Sequence, residues 1–168
     1  SDIKDFENLI YTFIKNETKS SIISEIKGAK SFLEQLNNSS EYKIVFATGS
    51  LLKHALLKLQ QTNIEIAETL IIASNNLYTR EEIVESAIEI SKLYYGVKQF
   101  KNIISLGDGK WDFQTAQNLN LNFIGINNHK ILECGAVLFY EDFIKLNIHQ
   151  LNNNPHIKFP KELLTSMN

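Results

Sequence analysis

Apolar residues recur along this chain in two rhythms, and the switches between them mark its elements. Over residues 2–16, Ile3, Phe6, Leu9, Ile10, Phe13 and Ile14 stand three and four positions apart, which predicts a helix with one apolar face. The aromatics Phe6, Tyr11 and Phe13 are read as part of that face. A polar break at 16–21 follows, then Ile22, Ile23 and Ile26. Gly28-Ala29 opens a second helix carrying Phe32, Leu33 and Leu36, which ends in the turn-forming Asn37-Asn38-Ser39-Ser40.

From there the rhythm alternates. The β-prone run 42–48, closed by Gly49, predicts a buried strand that leads into a helix over 51–60. Residues 69–73 (Thr-Leu-Ile-Ile-Ala) predict a second strand. Thr79 followed by Glu82 has the spacing of a capping box, opening a helix that carries Ile83, Val84, Ala87, Ile88, Ile90 and Leu93 and stops near Gly96. A third strand is expected at 102–106, a helix over 111–118, a fourth strand at 121–126 and a fifth at 136–140. The tail predicts short helices at 142–146 and 161–166 around an Asn-rich loop at 152–154. Strands alternating with helices imply an α/β fold: a Rossmann-like, mostly parallel sheet with helices on both faces. Ligands then bind beyond the carboxyl ends of the strands, where Thr48 and Asp108 are both expected.

Composition narrows the function classes. A net charge of −2, with Lys and Arg spread along 168 residues, gives no basic footprint for nucleic acid. No apolar run approaches the roughly 20 residues that span a bilayer, so neither nucleic acid nor membrane is an expected partner. The single cysteine, Cys134, excludes an internal disulfide and a multi-cysteine metal site, and it suits a reducing, cytoplasmic setting. Cys134 reads as buried rather than catalytic. His54, His129, His149 and His156 lack metal-ligand spacing and read as surface or loop residues.

The segment with the most chemistry is Ile103-Ile104-Ser105-Leu106-Gly107-Asp108-Gly109-Lys110-Trp111-Asp112. An apolar strand ends in a Gly-Asp-Gly turn, and a second carboxylate follows four positions after the first. Two carboxylates at a strand mouth form the hard, all-oxygen donor set that Mg²⁺ prefers. Read in isolation, Asp108 is equally a turn aspartate and Asp112 a helix first-turn acid. Likewise, Thr48 alone is an ordinary strand-end threonine and Arg80 alone a solvated surface residue. Trp111 is expected to pack beneath the loop.

In order and spacing, Ile44-Val45-Phe46-Ala47-Thr48-Gly49-Ser50, Thr79-Arg80-Glu81-Glu82-Ile83-Val84, the segment 103–112, Phe123-Ile124-Gly125-Ile126 and Gly135-Ala136-Val137 resemble the haloacid dehalogenase superfamily, a group of mostly Mg²⁺-dependent phosphatases. The resemblance covers residues 26–143. It implies that Thr48, through its hydroxyl, and Gly49, through its N–H, bind the phosphoryl group. It also implies that Arg80 neutralises phosphate charge, that Asp108 binds Mg²⁺, and that Asp112 is a second ligand or holds a metal-bound water. Lys98 and Lys101 fall too near the third strand to replace Arg80. Residues 1–25 would then be the end of a helical cap, and 26–168 the core without its first strand. The substrate implied is a small phosphorylated metabolite; nothing in the pattern fixes an oligomeric state.

One departure stands out. The family's nucleophile is the first aspartate of an Asp-x-Asp motif that ends an apolar strand, and no Asp-x-Asp occurs in these 168 residues. Asp2 and Asp5 follow no strand, and Tyr140-Glu141-Asp142 falls at the family's last, non-catalytic strand. The missing strand belongs between those ending at Thr48 and Asp108, and each backbone group left buried and unpaired there would cost about 1–3 kcal/mol. The expectation is therefore a phosphatase whose nucleophile lies outside this sequence, the chain alone being inactive. The alternative is a catalytically inactive relative serving as a binding or regulatory protein. A receiver-type phosphoacceptor domain is disfavoured, because no acidic cluster ends an early strand.

Overall fold

The computed structural model of the chain describes residues 2–20 and 23–151. Backbone contacts divide it into two compact units. One joins residues up to Glu25 with Ile44–Ser91; the other joins Ile26–Lys43 with residues from Lys92 onward. The sheet is parallel throughout, as strands connected by helices require, and among the described residues it occurs as two separate ladders.

In the first unit, β1 (Phe46–Ala47) pairs in parallel with β2 (Ile71–Ile72), Phe46 opposite Ile71 and Ala47 opposite Ile72. The crossover is α3 (Leu52–Thr62), and α4 (Arg80–Tyr95) follows β2. Ile72, Ile83 and Ala87 form the buried centre, with Val45, Leu77 and Ile90 packed against it. The helix predicted over 2–16 runs further, as α1 (Asp2–Ser20), and packs on α3. The polar stretch at 16–20 contains neither Gly nor Pro, so nothing in it stops the helical backbone. Contrary to expectation, Phe6, Leu9 and Phe13 are exposed. The half-buried side of α1 carries Ile10, Tyr11 and Ile14 instead. His54 was expected on the surface but is buried in α3, 5% exposed, its ring stacked on Tyr11 at 6.2 Å. Its Nε2 has no hydrogen-bond partner among the described residues.

In the second unit, β3 (Ile104–Gly107), β4 (Asn122–Ile126) and β5 (Phe139–Tyr140) pair in that order. Ile104 lies opposite Asn122 and Gly107 opposite Gly125. Phe123 to Ile126 are all buried, as the middle strand of a two-sided sheet demands. α5 (Lys110–Asn118) covers β3 and β4, burying Phe113 and Ala116, and Phe113 meets Phe123 edge-on at 5.3 Å. α6 (Lys130–Glu133), which the sequence pattern did not predict, buries Ile131. α2 (Ala29–Asn37) buries Phe32 and Leu36; Phe32 packs on Phe143, whose N–H donates to the Lys27 carbonyl at 2.9 Å.

The helix expected at 142–146 is absent. The Ile144 N–H donates to the Asp142 carboxylate at 2.9 Å, an Asx turn that diverts the backbone from helix. A helix forms just after it, α7 (Ile148–Leu151), where the Asn147 side chain accepts the His149 N–H at 2.9 Å. The predictions at 152–154 and 161–166, and His156, lie outside the described residues. No described helix is long and apolar enough to cross a membrane.

Candidate active site

Thr48 follows β1 directly. Its N–H donates to the Ile72 carbonyl at 2.8 Å, extending the ladder one residue beyond the strand. Its hydroxyl oxygen accepts the Ser50 N–H at 3.1 Å, so the chain turns around the hydroxyl. A hydroxyl that accepts one bond still has a proton to donate to an anion. The loop after β2 secures this turn. The Ser74 hydroxyl donates to the Gly49 carbonyl at 3.0 Å, and the Ser74 N–H donates to the Ser50 carbonyl at 3.2 Å. The Asn75 side-chain oxygen Oδ1 accepts the Leu52 N–H at 2.9 Å, capping α3.

Arg80 is brought to that turn by the start of α4. The Thr79 hydroxyl accepts the Glu82 N–H at 3.1 Å, while the Glu82 carboxylate accepts the N–H groups of Tyr78 and Thr79 at 2.7 and 3.0 Å. This is the capping box expected from the sequence. The backbone N–H groups of Thr79 and then Tyr78 hold the Glu82 carboxyl below its ordinary range, against a smaller opposing effect of desolvation. With α4 so anchored, the Arg80 guanidinium lies over Gly49. A Cβ on residue 49 would stand 3.2 Å from both Cζ and an Nη of Arg80. Thr48, Gly49 and Arg80 are thus brought together within the first unit.

In the second unit, Asp108 follows β3 and its side chain is exposed. The Asn128 side-chain amide, from the loop after β4, donates to the Asp108 carbonyl at 2.7 Å and ties the two strand-end loops together. Asp112, in the first turn of α5, accepts the Gly109 N–H on Oδ2 at 3.0 Å. Its side chain folds back onto β3 so closely that a Cβ on residue 107 would lie 2.5 Å from the Asp112 Cβ. Gly107 is required by this approach. Asp108 and Asp112 therefore share one short loop. Both offer only oxygen, which suits Mg²⁺, an ion commonly held by one or two carboxylates together with water and substrate phosphate. Among the described residues no group of three or more His, Cys, Asp or Glu is placed to hold a metal.

Two further placements correct the sequence reading or add to it. Trp111 does not pack beneath the loop; it is 68% exposed. Ser74, Asn75 and Asn128, which shape the two loops, were not singled out. The only signal for them was their position one or two residues after an apolar run. Cys134 is half-buried, its thiol directed at the Lys130 carbonyl at 3.5 Å.

Against known proteins, the family described as haloacid dehalogenase-like hydrolase matches residues 1–126. Among solved structures, the chain is similar to a hydrolase from Pseudomonas syringae, with a TM-score of 0.61 and 20% identity over 77% of this chain and 60% of that one. It is also similar to a phosphoserine phosphohydrolase-like protein from Francisella tularensis, with a TM-score of 0.54 and 16% identity over 77% of this chain and 65% of that one. The chain thus spans less than two thirds of the length of either structure. No curated protein matches it.

Proposed function

Because the chain belongs to the haloacid dehalogenase-like hydrolases, we propose that the whole protein is a Mg²⁺-dependent phosphatase of small phosphate esters, working in a reducing cytoplasm. In this reading the Thr48 hydroxyl and the Gly49 N–H bind the phosphoryl oxygens. Arg80 neutralises charge on them. Asp108 and Asp112 hold Mg²⁺, which when bound supplies positive charge against the negative charge gathering on the transferring group. The attacking group is an aspartate carboxylate from an Asp-x-Asp segment outside these 168 residues. It forms an aspartyl-phosphate as the alcohol leaves, and water then releases orthophosphate.

The observation that carries this reading is the Arg80 guanidinium lying on Gly49, beside the turn built around the Thr48 hydroxyl. A cation, a backbone N–H and a hydroxyl gathered at a strand end make an anion site. The edges of the ladders add support. Ile104–Gly107 pairs with β4 only, so on its other side no described strand covers its backbone N–H and C=O groups. Such an edge is suited to take up a further strand.

The test is turnover of 4-nitrophenyl phosphate. The 168-residue chain alone should be inert. A chain extended at its N-terminus by a strand ending in Asp-x-Asp should hydrolyse the ester with Mg²⁺ and lose that activity on Asp108→Ala. Turnover by the 168 residues alone, abolished by Asp108→Ala, would overturn the assignment of the nucleophile to another segment. An inert extended chain that still binds phosphate and Mg²⁺ would favour the second reading, a binding or regulatory relative. The absence of Asp-x-Asp from the sequence is what supports that second reading.

A further inference from the structure

The peptide unit joining Asp108 to Gly109 is held at both of its polar ends. Its carbonyl oxygen accepts the Asn128 side-chain N–H at 2.7 Å, and its N–H donates to Asp112 Oδ2 at 3.0 Å. A peptide is a rigid plane that also contains the preceding Cα, so its C=O and N–H turn together. A line of hydrogen bonds therefore runs from the Asn128 amide, through that plane, to the Asp112 carboxylate. The Asp108 side chain is carried on the Cα of the same plane.

Asn128 is itself fixed by its backbone and by the other end of its amide. Asn127 takes a φ of 62°, in the left-handed region that Asn adopts more readily than most residues, and turns the chain off β4. The Asn127 N–H donates to the Tyr140 carbonyl at 3.0 Å, and the Asn128 N–H to the Ile126 carbonyl at 2.8 Å. Asn128 Oδ1 accepts the Lys130 N–H at 3.2 Å, at the start of α6. With Oδ1 so engaged, the side-chain nitrogen is the end left to face Asp108. All of these contacts lie within the second unit.

We propose that Asn128 is a positioning residue for the Asp108–Asp112 carboxylate pair. By fixing the 108–109 peptide it holds both side chains in the arrangement that a divalent cation meets. The inference rests on the Mg²⁺ reading above and adds a residue that acts on the pair through the backbone. An amide suits this task, because it supplies an N–H without adding charge beside the loop. Hydrogen bonds in series also polarise one another, so the Asn128 donor strengthens the bond from the Gly109 N–H to Asp112. Without that donor the 108–109 plane is free to rock, and the Asp112 carboxylate loses its fixed partner.

The test is a Mg²⁺ titration of the 168-residue chain followed by amide NMR, for the wild type, Asn128→Ala and Asn128→Ser. A serine hydroxyl retains an acceptor for the Lys130 N–H but is too short to reach the Asp108 carbonyl. Both variants should bind Mg²⁺ about tenfold more weakly, the usual loss when a group that orients a metal ligand is removed. Before metal is added, the Gly109 amide proton should move upfield in both variants and exchange faster with solvent, reporting a weakened bond to Asp112. A loss confined to Asn128→Ala would trace the effect to the Lys130 contact and overturn the inference. Wild-type affinity in the folded variants, or a Gly109 signal that does not move, would overturn it while leaving the metal reading standing. A wild-type chain that binds no Mg²⁺ would overturn the metal reading, and this inference with it.

Discussion

The Arg80 guanidinium crowds the position that a side chain at Gly49 would take: a Cβ there would stand 3.2 Å from its Cζ. The glycine leaves room for a cation from the start of α4 beside the strand-end turn. Gly49→Ala should push the guanidinium aside by a few tenths of an ångström. The displaced group is the far end of a flexible side chain, so the change in stability should stay below about 1 kcal/mol. Orthophosphate affinity, read by calorimetry, should nevertheless fall severalfold, because charge-assisted contacts depend on geometry.

Gly107→Ala should act in the opposite way. Here the obstructing atom is the Asp112 Cβ, 2.5 Å from the new methyl and anchored to the backbone of α5. Overpacking of this kind costs about 1–3 kcal/mol, and urea unfolding should register it. The same shift should pull the Asp112 carboxylate from the Gly109 N–H and weaken Mg²⁺ binding.

Glu82 makes stability depend on pH. Its carboxyl sits below the ordinary value of 4.5 because the N–H groups of Thr79 and Tyr78 favour the charged form. A depressed carboxyl contributes stability that is fully present above the ordinary value and disappears as pH falls through the lowered one. The urea midpoint should therefore decline on acidification below 4.5. In Glu82→Gln, that part of the decline should be missing and the midpoint at neutral pH should be lower.

Phe123→Ala should be the most damaging of these changes. The ring is 4% exposed on the middle strand and packs edge-on against Phe113. Removing a buried phenyl costs about 3–5 kcal/mol, visible as a large drop in the unfolding midpoint.

The sequence made the α/β alternation legible, and with it β4, α5 and the capping box of α4. Phe123-Ile124-Gly125-Ile126 reads as a continuous apolar run and is buried, being the middle strand of its ladder with α5 packed against it. The run at 102–106 looks equally buried in sequence. In the structure Leu106 is 37% exposed, since β3 is the edge of its ladder. Periodicity records what a strand is able to bury, and its neighbours decide what it does bury. For the same reason the apolar run 42–48 gives only a two-residue ladder.

The local geometry of each candidate loop was legible in the sequence. The Thr48–Gly49–Arg80 grouping and the Asp108–Asp112 loop both rest on local backbone geometry that glycines and an N-cap announce in sequence. Trp111, in the first turn of α5, and His54, within the 11-residue α3, depart from the sequence reading. Spacing identifies the face there but not what, if anything, covers it. The Asx turn at Asp142 was missed because a side chain competing for a backbone N–H leaves no trace in an apolar pattern.

The measurement that bears most directly on the account is orthophosphate binding to the 168-residue chain with and without Mg²⁺, followed by calorimetry. If Thr48, Gly49 and Arg80 serve the same phosphoryl group as the metal at Asp108 and Asp112, binding is linked, and Mg²⁺ should raise phosphate affinity by about tenfold or more. Asp108→Asn should abolish that enhancement, and Arg80→Ala should weaken phosphate binding under both conditions. Phosphate affinity that is indifferent to Mg²⁺, or unaffected by both substitutions, would contradict the account.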